Sequence, residues 1–142
     1  MSQSVEARLF FGFVIDMDSL SPAAREVLEG GSYAKAFAQA KGLVEPPYTA
    51  EYTTQWRAWH AQVQELMDGV DINFYYSDSD TGEQIQYLSA KTYSRWSDGA
   101  EALDSKQLWV RKSLTAKLKD FCVALAIPWQ TPQWHLVCYR DQ

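Results

Sequence analysis

Apolar positions along the chain alternate between two periods, and the switches mark its elements. The run VEARLFFGFVI, Val5 to Ile15, is nearly continuous in β-branched and aromatic residues and ends at the polar DMDSLS, as a central strand does. Alternation puts Leu9, Phe11, Phe13 and Ile15 on one face and Phe10, Gly12 and Val14 on the other. Ser21 followed by Pro22 is an N-cap with proline in the first helical turn, and Gly30-Gly31 stops that short helix. A second, alanine-rich helix runs from Ser32 to Gly42, and Pro46-Pro47 then force an extended connection. Between Thr49 and Asp68 the residues Tyr52, Trp56, Trp59, Val63 and Leu66 share one helical face, and Gly69 is placed to close its C-terminal end.

The period then drops to two. Val70, Ile72, Phe74 and Tyr76 alternate with Asp71, Asn73 and Tyr75, and the turn-forming Ser77 to Glu83 leads into the alternating EQIQYLSAKTY, so the pair reads as a hairpin. After the polar break Ser97 to Ser105, Asp104 or Ser105 caps a helix whose apolar face is Val110, Leu114, Leu118, Phe121 and Leu125 and which Pro128 ends. Gln133 to Tyr139 is the last strand, on which Trp134, Leu136 and Cys138 face the core and His135, Val137 and Tyr139 face outward. The order predicts a single α+β domain over residues 1–142. It matches the ferredoxin-like βαββαβ antiparallel sheet, with extra helices between the first and second strands.

Composition changes this picture in three ways. Six Trp, eight Tyr and six Phe among 142 residues exclude a disordered chain. No apolar run reaches the roughly 18 residues of a membrane span, and MSQSVEAR lacks the features of a secretory leader, so the expected location is cytoplasmic. The net charge of −5 is unevenly spread: residues 1–105 hold 16 acidic and 7 basic side chains, whereas residues 106–142 hold 2 acidic and 6 basic. Such an acidic body is repelled by phosphate backbones, which argues against nucleic acid as partner. Cys122 and Cys138 stand in apolar patterns, outside any CxxC pair, and read as buried free thiols.

Candidate chemistry is sparse. If the helices cover one sheet face, Phe10, Val14, His135, Val137 and Tyr139 form an outer face too apolar for bare solvent, which marks a binding surface for a partner or for a second copy. Trp109 with Arg111 and Lys112, among Lys106, Lys117 and Lys119, has the composition of an interface anchor on a basic helix. Asp78, Asp80, Gly82 and Glu83 resemble the front of a calcium loop, but no late bidentate glutamate follows, and a plain turn accounts for them. Two histidines cannot close a zinc site by themselves, so neither metal nor cofactor is expected. No nucleophile motif or phosphate loop appears, and enzymatic activity is the lesser expectation. Its candidate groups are His60, His135, Asp16, Asp18 and Tyr139, in a cleft between the sheet and the extra helices acting on a small molecule or nucleotide.

The C-terminal residues Ala126, Ile127, Pro128, Pro132, Trp134 and Leu136 follow a pattern in which a helix ends at an Ile-Pro segment and a Pro-x-Trp-x-Leu strand closes the chain. This resembles a loose group of small uncharacterised proteins encoded by phages and mobile elements. The resemblance covers about the last fifth of the chain and implies an origin of that kind, with no functional residue carried over. The expectation is a non-enzymatic protein-binding accessory module, acting through its outer sheet face or its acidic surface, of the kind that inhibits a host or bacterial defence protein.

Overall fold

The computed structural model describes residues 5–49, 52–76, 84–96 and 102–140, apart from the side chains of Val5, Tyr52, Tyr76, Trp96, Tyr139 and Arg140. Four strands, β1 (Val5–Val14), β2 (Asp71–Tyr76), β3 (Gln84–Trp96) and β4 (Gln133–Arg140), form one antiparallel sheet in the order β2-β3-β1-β4. Among the described residues four helices accompany it: α1 (Pro22–Glu29), α2 (Tyr33–Ala40), α3 (Tyr52–Met67) and α4 (Lys112–Leu125), so the protein is α+β. No described helix is long and apolar enough to cross a membrane. The turn residues Ser77 to Glu83, including the calcium-like Asp78, Asp80, Gly82 and Glu83, lie outside the described residues.

Helix starts follow local chemistry where that chemistry is strong. The Ser21 hydroxyl accepts from the Ala24 amide at 3.2 Å, with Pro22 filling the first helical position, so α1 begins where the sequence predicts. Gly69 adopts φ +78° after α3, and Lys117 of α4 closes that helix end by donating to the Glu65 and Asp68 carbonyls at 3.3 and 2.5 Å. Lys117 is thereby a structural cation rather than part of a free basic face.

The start of α4 differs from expectation. Asp104 and Gln107 do form a reciprocal capping box, with the Gln107 amide donating to Asp104 Oδ1 at 2.8 Å and the Asp104 amide donating to Gln107 Oε1 at 3.0 Å. The helix nevertheless begins only at Lys112, with Arg111 as N-cap. The residues between are instead tied to the sheet. Tyr93 of β3 donates its hydroxyl to Gln107 O at 2.6 Å, and Lys91 donates to Gln107 O at 3.4 Å and to Trp109 O at 2.5 Å. Those acceptors are used to tie the loop to the sheet, and the turn at Asp104 does not propagate.

One continuous core joins the helices to one sheet face. Phe13 of β1, Ile15 just after it and Leu88 of β3 are buried there with Leu20, Ala24, Leu28, Phe37, Leu118, Phe121, Cys122 and Ile127. Phe37 and Phe121 meet edge to face at 5.1 Å, which locks α2 on α4. Cys122 is buried as predicted, and burial pushes its thiol up from 9.0 to about 12. Between those values the unfolded chain loses this proton before the folded one does. This group's contribution is therefore complete below pH 9 and is lost as pH rises toward 12.

The far half of β4 departs from the predicted pattern. Cys138 is exposed and Leu136 is 73% exposed, because β4 is an edge strand and the core ends short of that half. Alternation assigned those side chains to the correct face, but the helices do not reach over them. A maleimide at neutral pH should therefore label one cysteine, Cys138, in the native protein and both after unfolding; slow labelling of Cys138 would contradict its exposure.

Candidate functional site

The face opposite the core carries Phe10, Val14, His135 and Val137 of the predicted binding residues, and there Phe10 and His135 pack into a row of rings. Each strand contributes one ring to a row across the sheet. Tyr75 of β2 lies 6.1 Å from Tyr87 of β3, Tyr87 stacks at 3.9 Å and 17° on Phe10 of β1, and Phe10 stacks at 4.9 Å and 14° on His135 of β4. Phe10 and Tyr87 are fully buried, yet they stand outside the core cluster. The expectation that Phe10 projects toward a partner is thus corrected: its ring is covered by its neighbours on the same face. Val14 and Val137 are half-buried, and the side chain of Tyr139 lies outside the described residues.

Curvature explains how a face opposite the core becomes buried. Between Phe11 and Gly12 of β1 the register on β3 jumps from Lys91 to Ser89, leaving Ala90 as the extra residue of a bulge. A bulge bends its strand. Arg8 stands opposite Ser94 and Phe74 opposite Gln86, positions about 26 Å apart along a straight strand, yet Arg8 Nη1 donates to Phe74 O at 2.9 Å. The sheet must therefore curl toward this face. Arg8 also donates to Tyr87 Oη at 3.3 Å and grips the buried Glu6 carboxylate with two bonds, at 2.5 and 3.1 Å. The Glu6 partner holds the guanidinium well above its ordinary range, while burial pushes the Tyr87 phenol up. His135 Nε2 lies 3.1 Å from Gly12 O and, since a carbonyl oxygen only accepts, is the donor of that bond.

The second predicted site is on the surface. Trp109 is 62% exposed, and its sequence neighbours Leu108, Lys106, Arg111 and Lys112 are exposed as well. Trp109 lies on the loop before α4 rather than on the helix, held by the bond from Lys91 to its carbonyl. Arg111 and Lys112 sit at the positive end of α4, whose first turn has no acidic residue and whose N-cap makes no side-chain bond. Cations there oppose the helix dipole by roughly 0.3–1 kcal/mol each.

The groups named for catalysis do not converge. His60 stacks on Trp56 at 4.7 Å on α3, His135 is in the ring row on β4, and Asp16 and Asp18 line a cleft at the end of β1. Among the described residues no three His, Cys, Asp or Glu side chains gather to hold a metal ion. The cleft, of about 640 Å³, lies between α1 and the ends of β1 and β3, and Arg25, Glu29, Gln84 and Gln86 also line it. Gln86 was missed by sequence reasoning, because a glutamine in an alternating strand reads as solvent-facing; no local signal tells that it is buried. The chain matches no protein-family model, no curated protein and no solved structure.

Proposed function

We propose that the protein is a non-enzymatic protein-binding accessory module whose contact surface is Trp109 and Leu108 with Lys106, Arg111 and Lys112, and whose partner presents an acidic patch. The observation that carries this reading is an exposed tryptophan whose backbone carbonyl accepts from Lys91, with exposed cations at Lys106, Arg111 and Lys112 close to it in sequence. Indole and guanidinium groups dominate the energetics of interfaces, and the unfavourable placement of Arg111 and Lys112 at a helix N-terminus is offset when an anionic surface meets them. Of the surfaces the sequence suggests, the outer sheet face spends its rings internally, which favours the loop.

The domain is, on this reading, ferredoxin-like. In support, β1 lies between β3 and β4, β4 forms an edge, and the additional helices fall between β1 and β2. The C-terminal pattern from Ala126 to Leu136 further supports an accessory protein of a phage or mobile element, acting by occupying a host or bacterial defence protein.

The test compares variants in capture from the native host. A partner held by the wild type should be lost or weakened by about 2 kcal/mol, roughly 30-fold, in Trp109→Ala. Val123→Ala, at an exposed apolar position on α4, should retain it. Arg111→Glu with Lys112→Glu should also abolish capture, and wild-type association should weaken as salt rises. A partner retained equally by Trp109→Ala and the charge-reversed variant would refute this surface.

A further inference from the structure

The two edges of the sheet are unlike. At β2, Asp71 opens a strand of 6 residues and the Phe74 carbonyl is engaged by Arg8 at 2.9 Å. β4 has no such guard. Its register on β1 runs unbroken from Arg140 opposite Val5 to Gln133 opposite Gly12, so no bulge turns the strand aside. Among the described residues β1 is the one strand beside it. No Asp, Glu, Lys, Arg or Pro stands between Gln133 and Tyr139. Every second residue of this strand directs its backbone N–H and C=O away from the sheet. Leu136, 73% exposed, and the exposed Cys138 lie on the face shared with the helices. Edge strands are ordinarily blunted by charge, proline or a bulge, and a regular edge without them is a template for another strand.

We propose that this strand is β4 of a second copy, so that two four-stranded sheets join into one continuous antiparallel sheet. Antiparallel pairing of identical strands side by side requires a two-fold axis normal to the sheet, which keeps the helices of both copies on the same side. Directly opposite residues share a face, so on the helix side Trp134, Leu136 and Cys138 meet only one another. With the axis at Leu136, the exposed leucine packs on its own copy and Trp134 of each chain lies opposite Cys138 of the other. On the far face His135 lies opposite Val137. Charge permits this arrangement. Arg140 is the strand's one arginine or lysine, and it stands four residues from the axis in each copy. The two arginines are then about 27 Å apart, several times the roughly 8 Å screening length of physiological salt. A foreign strand would need its own side chains to match this edge, whereas the two-fold uses the same residues twice.

Sedimentation equilibrium of the full chain, from about 1 µM to about 1 mM, tests the edge. The mass should rise from one chain to two and stop there, because a two-fold consumes the edge in both copies. Leu136→Lys changes a side chain already in solvent in the monomer, so it should fold normally. It places two like charges at the axis and should weaken dimerisation about tenfold or more. In a Cys138→Ser background, Leu136→Cys should give a disulfide-linked dimer with oxidised glutathione, since opposite residues of paired strands stand within disulfide reach. Val123→Cys, as exposed but on α4, should not. At low concentration the monomer prevails and Cys138 of the wild type reacts with maleimide as its exposure requires; labelling should slow as the dimer fills. A wild type that stays a single chain over the whole range overturns the pairing and leaves the edge to a foreign strand. Growth past two chains overturns it in favour of open aggregation. So does a folded Leu136→Lys variant that dimerises as tightly as the wild type, or a Val123→Cys variant that cross-links as fast as Leu136→Cys.

Discussion

Replacing Phe10 by alanine should lower the free energy of unfolding by about 3–5 kcal/mol, measured by urea denaturation. The ring is fully buried between Tyr87 at 3.9 Å and His135 at 4.9 Å, and it is the link through which the row continues from β3 to β4. Its removal leaves a void bounded by strand backbone, which cannot collapse without breaking the ladders on both sides of β1. For a domain of ordinary stability, about 5–15 kcal/mol, this is a large fraction of the total. Leu136→Ala on the neighbouring edge strand should stay within about 0.5 kcal/mol, since that side chain is already in solvent. A Phe10→Ala variant as stable as Leu136→Ala would mean that the row is open to water. Phe10→Glu should be costlier still, because it buries a carboxylate among rings.

The second large effect is expected at Gly12. A Cβ there would lie 1.8 Å from the Leu88 carbonyl oxygen and 2.9 Å from the Ser89 Cα, both backbone atoms of β3. Neither can swing aside as a side-chain tip could. Gly12→Ala must therefore force β1 and β3 apart at the bulge, where curvature of the sheet is set. The cost should exceed the roughly 1–3 kcal/mol of ordinary overpacking, and amide exchange should accelerate in the β1–β3 ladder on both sides of the bulge. Gly31→Ala, at a φ of +73° with nothing within 4 Å, serves as the comparison in which only backbone strain is paid. Equal losses at the two positions would show that close approach at Gly12 is not the cause.

Much of the fold could be read from residue order because its signals are local. The Ser21-Pro22 start, the glycine after α3 and the period changes at Val70 and Gln133 act within a few residues and need no knowledge of distant chain. The start of α4 was misplaced for the opposite reason. Asp104 does cap a turn with Gln107, but Lys91 and Tyr93, distant in sequence, bond the carbonyls of Gln107 and Trp109 and tie the segment to the sheet. For the candidate sites, Trp109 was legible from composition alone, as an indole among cations. The burial of Gln86 was not, since nothing near it in sequence distinguishes it from the exposed Gln84.

Residue order by itself determined the strands and most helix boundaries, the assignment of Phe13 and Ile15 to one face and Phe10 to the other, and the polarisation of charge toward the C-terminal segment. Each follows from alternation, capping or counting. Only the tertiary structure decided whether those faces are buried. The bulge at Ala90 and the reach of Arg8 to Phe74 O curl the sheet around Phe10 and Tyr87 and cover a face that alternation would leave open. The end of the core short of the far half of β4 leaves Leu136 and Cys138 in water on a face that alternation would bury. Alternation specifies direction, whereas burial depends on sheet curvature and on which surfaces meet across the chain.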